Sequence, residues 1–272
     1  MQKVPIPSQV NGLLQRIGRI TVAEGMCAYA VGGCVRDWLL NRKDTVDVDV
    51  TVEGDGLTVA RQATRALGGA LTEHQQFGTA AIIVQHTTGS TQHTVKGKRC
   101  IRIDVATCRK ETYSEPAAYP KVTRGTIHDD LFRRDFTINA MAVTITPSEF
   151  GRLLDPFGGM RDVRQRRLRM LHGRSFQDDP SRILRGVRFA QRFGLRWERA
   201  TRAAALEAIA DGVLGRLNAG RLAKELNRMC DEPDPRACLE ALAELLNRAA
   251  QGSGLRAQGS CPQPPAQNPE RI

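Results

Sequence analysis

The order of apolar and polar positions divides the chain into two parts. Between residues 29 and 145, runs of β-branched residues alternate with short helical patterns. The clearest run covers residues 44–52, where valine occupies every second position and gives one apolar strand face. From residue 161 to 250 the apolar positions recur with the helical period. The sequence therefore predicts an α+β fold, in which a head with a mixed sheet is followed by an all-α neck.

A joint and a tail are also visible in the pattern. Residues 154–159 read Leu-Asp-Pro-Phe-Gly-Gly, and this Pro and Gly punctuation is typical of a connection between two parts. We therefore expect the head to span residues 1–154 and the neck residues 155–250. Residues 251–272 are rich in Gly, Ser, Pro and Gln, so they cannot offset the entropy of ordering and are expected to be a disordered tail.

The polar face of the valine strand carries two carboxylates. Asp47 and Asp49 are two residues apart, so their side chains project side by side. Hard oxygen ligands suit Mg²⁺ better than zinc, and such a pair can bridge two metal ions that activate an attacking hydroxyl. A lone Asp-x-Asp is also typical of an ordinary solvated strand face. We predict that Asp47 and Asp49 are metal ligands and catalytic residues.

Two neighbouring segments add candidate residues to this strand. A strand, a Gly-Gly turn and a helix follow one another at residues 29–37, where Gly33 would let the backbone approach a phosphate and Arg36 would supply positive charge. The alternative is an ordinary turn. Asp104 lies on the polar face of another alternating run, where it either completes a catalytic carboxylate triad or pairs with an arginine.

The composition narrows the class of partner. Among 272 residues the formal net charge is +11, which fits a polyanionic partner such as nucleic acid. There is no apolar run long enough to cross a bilayer and no secretory signal at the start, so we expect a cytoplasmic protein without membrane contact. The seven cysteines show no zinc-binding spacing and are expected to be reduced thiols.

Three motifs in order resemble those of class II CCA-adding enzymes and bacterial poly(A) polymerases, in the polymerase-beta nucleotidyltransferase superfamily. They are residues 32–37 together with Asp47-Val48-Asp49, residues 133–140 (Arg-Arg-Asp-Phe-Thr-Ile-Asn-Ala) and residues 179–185 (Asp-Pro-Ser-Arg-Ile-Leu-Arg). The resemblance covers roughly residues 28–242. It implies a five-stranded nucleotidyltransferase head, a helical neck and Mg²⁺-dependent transfer of AMP or CMP from ATP or CTP to the 3′ end of tRNA or another RNA.

The third motif suggests how a base is chosen. Cytosine and adenine each present an exocyclic amine beside an unprotonated ring nitrogen, so that Asp179 would accept from the amine and Arg182 would donate to the ring nitrogen. Arg185 and Arg188 follow on the same side of the predicted helix and could contact base, ribose or triphosphate. An alternative role for Asp179 is as the helix N-cap, with Pro at the first helical position.

The polar residues of the second motif and the aromatic residues of the neck each allow two interpretations. Arg134 is a candidate for phosphate or ribose contact, whereas Asp135 and Asn139 are either part of the site or structural. Phe189, Phe193 and Trp197 recur at i, i+4 and i+8, a spacing that favours a core stripe of the neck over a base-stacking platform.

Several functions remain open at this level. The chain could be a CCA-adding enzyme, a CC- or A-adding variant, or a poly(A) polymerase. Family members usually continue into a longer helical body, and here the similarity fades after Leu242, so a catalytically silent RNA-binding fragment is a competing hypothesis. An enzyme that modifies small molecules shares the Asp-x-Asp strand, but the basic neck favours RNA.

Overall fold

The computed structural model describes residues 2–42, 47–85, 94–95 and 98–258. Its helices are α1 (Ser8–Ala23), α2 (Gly33–Leu39), α3 (Gly56–Leu67), α4 (Ile127–Phe132), α5 (Gly159–Arg164), α6 (Ser175–Asp178), α7 (Ser181–Phe193), α8 (Arg199–Ala210), α9 (Ala219–Cys230) and α10 (Pro235–Gln258). Its strands are β1 (Cys27–Val31), β2 (Asp47–Glu53), β3 (Ala70–His74), β4 (Thr79–Gln85), β5 (Thr94–Val95), β6 (Lys98–Thr107), β7 (Arg109–Thr112), β8 (Lys121–Arg124), β9 (Ala142–Thr144), β10 (Leu153–Leu154), β11 (Arg167–Leu168) and β12 (Arg196–Trp197).

The main sheet confirms the predicted mixed topology. Its described strands follow the order β10-β9-β1-β2-β6-β4-β3, and β5 pairs with β6 outside this path. β2 and β6 run parallel, whereas the other described pairs of this sheet are antiparallel. The five strands implied by the resemblance are too few, because the segments after the second motif (β9 and β10) extend the sheet beyond β1 and the short β5 adds to β6.

Strand β2 alternates as its sequence predicts. Val48, Val50 and Val52 are each at most 1% exposed, while Asp47 and Asp49 are exposed on the opposite face. The apolar face packs against α1 and α3, whose buried residues belong to the same core. Because these helices cover one face of the sheet, the carboxylate face of β2 is left open toward the neck.

The neck is helical with one short exception. β11 and β12 pair in parallel through two residues each. α7 ends before Gly194, which has a φ of +60°, so Trp197 lies on β12 and not on the same helix as Phe189 and Phe193. The helical stripe was therefore wrong at Trp197, but all three rings do contribute to the core. A glycine ends the helix because it adopts the left-handed region without a Cβ clash.

The end of α10 corrects the predicted tail. The helix continues to Gln258, eight residues into the segment that was expected to be disordered. Once a helix is nucleated, each added residue gains a hydrogen bond at small cost, so low apolar content alone does not end it. Residues 259–272, including Cys261, lie outside the described residues. The six cysteines that the structure describes are free thiols, and no described helix is long and apolar enough to cross a membrane.

Head and neck share one core. Phe136, in the head, is fully buried and packs edge-on against Phe189 and Trp197, with ring centroids 6.2 Å apart in both pairs. The backbone N–H of Thr137 donates to the carbonyl of Arg169 at 2.9 Å, which ties the second motif to the neck. Residues on both sides of the predicted boundary at 154/155 therefore pack into the same core.

Candidate active site

A cavity of about 580 Å³ lies where the carboxylate face of the sheet meets the neck. Its lining includes six of the predicted site residues, which are Asp49, Asp104, Arg134, Asp179, Arg182 and Arg185. The other four, Asp47, Gly33, Arg36 and Arg188, are not among its lining residues. The fold thus brings residues from three separated motifs to one cavity.

The carboxylates of the sheet are adjacent across two parallel strands. Asp49 of β2 is the register partner of Asp104 of β6. Both oxygens of Asp104 are held by Arg102, whose Nε lies 2.9 and 3.0 Å away, so the structure contains the arginine pairing that was one of the two alternatives. Burial raises the pKa of the Asp49 carboxyl, Arg134 lowers it, and Asp104, Asp47 and Asp130 raise it further.

This set of carboxylates fits a magnesium ion better than a metal with a protein cage. Among the residues described, no group of three or more His, Cys, Asp or Glu side chains is arranged to hold a metal. Magnesium is commonly bound by one or two carboxylates together with substrate phosphates and water, so the number and type of the two predicted ligands, Asp47 and Asp49, fit this ion. The pKa of Asp49 is raised first by burial and then by its negative neighbours, and a bound cation would favour the ionised form against both effects.

The glycine that the turn requires is Gly32. Its φ is +76°, and a Cβ at this position would run into Nη1 of Arg134 and lie 3.7 Å from an oxygen of Asp49. At Gly33 a Cβ would meet only Nη2 of Arg36 at 3.5 Å, an ordinary contact. The sequence pattern indicated the turn correctly, but the close approach of Arg134 to the backbone shows that Gly32 has the stricter constraint.

Arg36 is oriented away from the cavity. It is 6% exposed and donates hydrogen bonds to Asn139 Oδ1 at 2.6 Å and to Asp37 Oδ1 at 2.9 Å. Its guanidinium lies 4.1 Å from the centroid of Phe193, and burial lowers its pKa. Arg36 therefore joins the glycine turn to the second motif and to the neck in this structure.

Asp135 is the centre of the buried polar network behind the cavity. It accepts hydrogen bonds from the backbone of Phe136 at 2.7 Å, from Asn139 Nδ2 at 3.0 Å and from Arg185 Nε at 2.8 Å. Burial alone would raise the pKa of Asp135, but Arg185 and these hydrogen bonds bring it down to about 2. The carboxylate is therefore ionised at neutral pH and fixes the guanidinium of Arg185.

The two proposed base-reading residues are held firmly at the cavity wall. Arg182 is 4% exposed and donates to Ser175 Oγ at 2.8 Å and to the carbonyl of Arg133 at 2.7 Å. Asp179 Oδ1 accepts from the backbone and the hydroxyl of Ser181, at 3.0 and 2.6 Å. The first of these bonds is the capping interaction that the alternative interpretation predicted, and the same side chain also lines the cavity.

Arg188 lies on the far side of α7. Its Nη1 is 3.0 Å from an oxygen of Glu232, and its guanidinium is 4.6 Å from the centroid of Phe189. An i, i+6 spacing on a helix is 600° of rotation, so Arg188 is turned by about 120° from Arg182. The predicted alignment of three arginines along one side was wrong for this residue, which pairs with the C-terminal part of the neck.

Sequence reasoning did not identify Asp130, which lines the cavity, or Arg221, which pairs with Asp179. Asp130 is fully buried and pairs with Arg133 at 2.7 Å and with Arg134 at 3.1 Å. An acid three and four residues before two arginines was a usable signal. Arg221 of α9 lies 2.5 Å from Asp179, an approach between residues 42 positions apart that no local pattern announces.

Proteins of known function are similar to much of this chain. The family model for the poly(A) polymerase head domain matches residues 28–169. The A-adding tRNA nucleotidyltransferase of Halalkalibacterium halodurans is 36% identical over 235 residues, which cover 86% of this chain and 52% of the relative. The CC-adding tRNA nucleotidyltransferase of Deinococcus radiodurans is 38% identical over 166 residues, or 61% and 40% of the two chains.

A solved structure is similar over most of the chain. It is a tRNA nucleotidyltransferase complexed with a primer tRNA and an incoming ATP analog, and it aligns with a TM-score of 0.72 at 35% identity. The alignment covers 84% of this chain and 60% of that one. The chain thus spans about half the length of the relatives that it matches.

Proposed function

Because the chain belongs to the poly(A) polymerase head-domain family of nucleotidyltransferases, we propose that it adds a nucleotide to the 3′ end of tRNA, with ATP or CTP as donor. The observation that carries this proposal is the cavity in which the Asp49 face of the sheet meets Asp179 and Arg182 of the neck. One wall can hold the reacting phosphates through a metal, and the other can read a base.

The reaction requires a divalent metal, which enzymes of this family generally use, and we assign it as Mg²⁺ held by Asp47 and Asp49. When bound, the ion supplies Lewis acidity and neutralises triphosphate charge. Arg134 lies beside Asp49 and the glycine turn, so it is placed to contact a phosphate. Arg185, fixed by Asp135, would contact the ribose or the triphosphate from the neck.

Base choice follows from the two groups at the neck wall. Asp179 has an oxygen, Oδ2, that accepts no hydrogen bond from the described residues, and it can accept from an exocyclic amine. Arg182 can donate to the adjacent unprotonated ring nitrogen. Adenine and cytosine satisfy both groups, whereas guanine and uracil present a carbonyl and a ring N–H and leave both groups unpaired.

Of the two bases, we expect adenine. The A-adding relative matches 86% of the chain, the multifunctional CCA protein of Halorhodospira halophila 89%, and the CC-adding relative only 61%. Adenine is named for the first two of these relatives and not for the third. A matched experiment would supply ATP, CTP, GTP and UTP separately to tRNA transcripts that end before the first C, before the second C and before the terminal A. We expect addition of a single AMP to the last of these. Addition of CMP would indicate CC- or CCA-adding activity, and repeated AMP addition would indicate a poly(A) polymerase.

The silent RNA-binding alternative is decided by the same experiment. If the wild-type chain incorporates no nucleotide at any Mg²⁺ concentration while it still binds tRNA, the proposal is wrong. Variants Asp47→Ala and Asp49→Ala serve as matched controls, because loss of incorporation in both would show that the activity belongs to this chain and not to a contaminating enzyme.

A further inference from the structure

Four aromatic rings form a continuous row on the surface of the head–neck junction. His128 stacks on Phe157 with centroids 5.1 Å apart, Phe157 lies 5.8 Å from Phe132, and Phe132 lies 5.1 Å from His172. We call these residues the ring patch. The chain has 8 phenylalanines and 5 histidines among its 272 residues, so two of each in one row is a local concentration of rings.

The ring patch is accessible, and Phe132 is one residue away in the chain from the cavity wall. Phe132 is 44% exposed, His128 is exposed, and the other two rings are half-buried. Phe132 directly precedes Arg133, which lines the cavity. On the neck side, burial lowers the pKa of His172 and the charge of Arg182 lowers it further, so the imidazole is within electrostatic range of the cavity wall. A strand that leaves the cavity in this direction would pass over the rings.

A basic groove continues from the ring patch. It has a volume of about 480 Å³ and is lined by Pro156, Phe157, Arg161 and Arg169, among others. Arg169 is paired with Asp162 at 2.7 Å. Arg161 is exposed, and within the described part of the chain its side chain forms no hydrogen bond or ion pair. In the groove, the guanidinium of Arg161 is therefore available to bind an anionic ligand, and the ring of Phe157 lines the same groove.

We propose that the ring patch and Arg161 bind the unpaired nucleotides that precede the 3′ end of the RNA substrate. Bases stack on the rings, and a phosphate of the same strand pairs with Arg161. Stacking tolerates any base because every base has a π face, which suits a strand whose sequence the cavity does not need to read. This inference rests on the proposed function, because the 3′ end must enter the cavity for the preceding nucleotides to reach the patch.

The chemistry of the patch favours RNA over a protein partner. An apolar protein interface core is depleted of charged residues, whereas here Phe157 lines the same groove as Arg161, and two of the four rings are imidazoles. Aromatic rings combined with basic side chains are the usual platform for single-stranded nucleic acids. The net charge of +11 agrees with an anionic occupant.

The test uses a tRNA transcript with 2-aminopurine at the penultimate position, because stacking quenches the fluorescence of this base. Phe132→Leu removes the ring and keeps an apolar side chain, and Phe132→Trp restores a ring. We expect Phe132→Leu to lose the quenching and to weaken RNA binding about tenfold, and Phe132→Trp to recover both. Arg161→Gln should lower the slope of log affinity against log salt by about one, which corresponds to one phosphate contact.

Phe77→Leu is the matched control, since Phe77 is also an exposed phenylalanine, at 62%, and lies outside the ring patch. It should leave both quenching and affinity unchanged. The proposal is overturned if Phe132→Leu binds and quenches like the wild type, or if Phe77→Leu weakens binding equally, which would reflect general surface hydrophobicity.

The outcome is separable from that of the proposed function, because quenching is measured without any nucleotide donor. Quenching without incorporation would leave the ring patch as an RNA-binding surface and reject the enzyme. Normal incorporation with an unchanged KM for RNA in Phe132→Leu would reject the patch and leave the enzyme. A folding defect is excluded by the recovery in Phe132→Trp and by thermal melting of each variant.

Discussion

The two walls of the cavity differ in how far their charges are already satisfied. On the sheet wall, Asp49 has a raised pKa because burial and three other carboxylates outweigh the effect of Arg134. On the neck wall, Arg182 and Arg185 are each bonded to protein acceptors, namely Ser175, the carbonyl of Arg133, and Asp135. The negative charge of the sheet wall is thus only partly balanced by Arg134 and Arg102, whereas the arginines of the neck wall already have protein acceptors.

This difference predicts which residues are needed for activity but not for folding. A carboxylate that repels its neighbours contributes little to folding, so removing it should cost activity and hardly any stability. An arginine that already bonds to the protein supports the fold as well as the substrate, so changing it should affect both. Substitutions on the sheet wall and on the neck wall should therefore differ in how much they reduce activity and stability.

The largest effect is expected on the sheet wall. Asp47→Ala and Asp49→Ala should each reduce nucleotide incorporation at least about 1000-fold, because the metal loses half of its protein ligands. The thermal midpoint should change little, or rise slightly for Asp49→Ala because a repulsive charge is removed. Single-turnover kinetics and thermal melting are the measurements. A variant with near wild-type turnover and an unchanged Mg²⁺ requirement would show that the metal ligands lie elsewhere.

On the neck wall, Asp135→Asn should lower the free energy of unfolding by about 2 kcal/mol, because Arg185 loses its buried counter-charge. The value is at the low end for a buried ion pair, since 30% of the Arg185 side chain remains exposed. Chemical denaturation at pH 7 measures it. Nucleotide affinity should also fall, because the guanidinium of Arg185 is no longer fixed.

The pH dependence of this difference provides the control. The pKa of Asp135 is about 2 in the folded chain, below its unfolded value, so its contribution to stability is present at neutral pH and is lost as the pH falls from about 4 toward 2. The difference in the free energy of unfolding between wild type and Asp135→Asn should disappear over that pH range. A gap that persists at low pH would mean that packing, and not the charge of Asp135, accounts for the loss.

Base choice should respond more modestly. Asp179→Ser preserves a capping oxygen but is too short to reach a base, so discrimination against UTP and GTP should fall by about 1–3 kcal/mol while stability is retained within about 1 kcal/mol. Arg182→Lys keeps the charge and loses the planar fork, and it should relax selectivity in the same direction. The measurement is single-nucleotide kinetics with each of the four donors.

If both variants keep the wild-type ratio of ATP to UTP incorporation, then Asp179 is only a helix cap and Arg182 only a structural arginine. Lysine is preferred to alanine at position 182, because alanine would leave Ser175 and the Arg133 carbonyl without their donor and would confuse selectivity with stability.

The smallest effect is expected at Asp104. Because Arg102 already holds its carboxylate, Asp104→Asn should raise the Mg²⁺ concentration required for half-maximal activity by only about two- to fivefold, through loss of one nearby negative charge. Titration of activity with Mg²⁺ tests this. A loss of activity as large as that of Asp49→Ala would instead make Asp104 a third metal ligand.

What the sequence could predict depends on how local each signal is. The alternation in β2 and the glycine turn before α2 depend on adjacent residues, and the sequence predicted both correctly. The direction of Arg36 depends on Asn139, which is 103 residues away, and the partner of Arg188 is Glu232, 44 residues away. Residue type indicated that these arginines were important, but only the tertiary packing determines whether such a side chain faces a substrate or a buried acceptor.

The buried chain of contacts from Arg36 through Asn139 and Asp135 to Arg185 also has a consequence for synthesis on the ribosome. Its first member is translated nearly 150 residues before its last. At about 5–20 residues per second, the head waits several seconds or more for the arginine that neutralises Asp135 and for the rings that cover Phe136. During that interval the nascent head exposes an apolar surface beside an unpaired carboxylate, which is the kind of surface that chaperones bind.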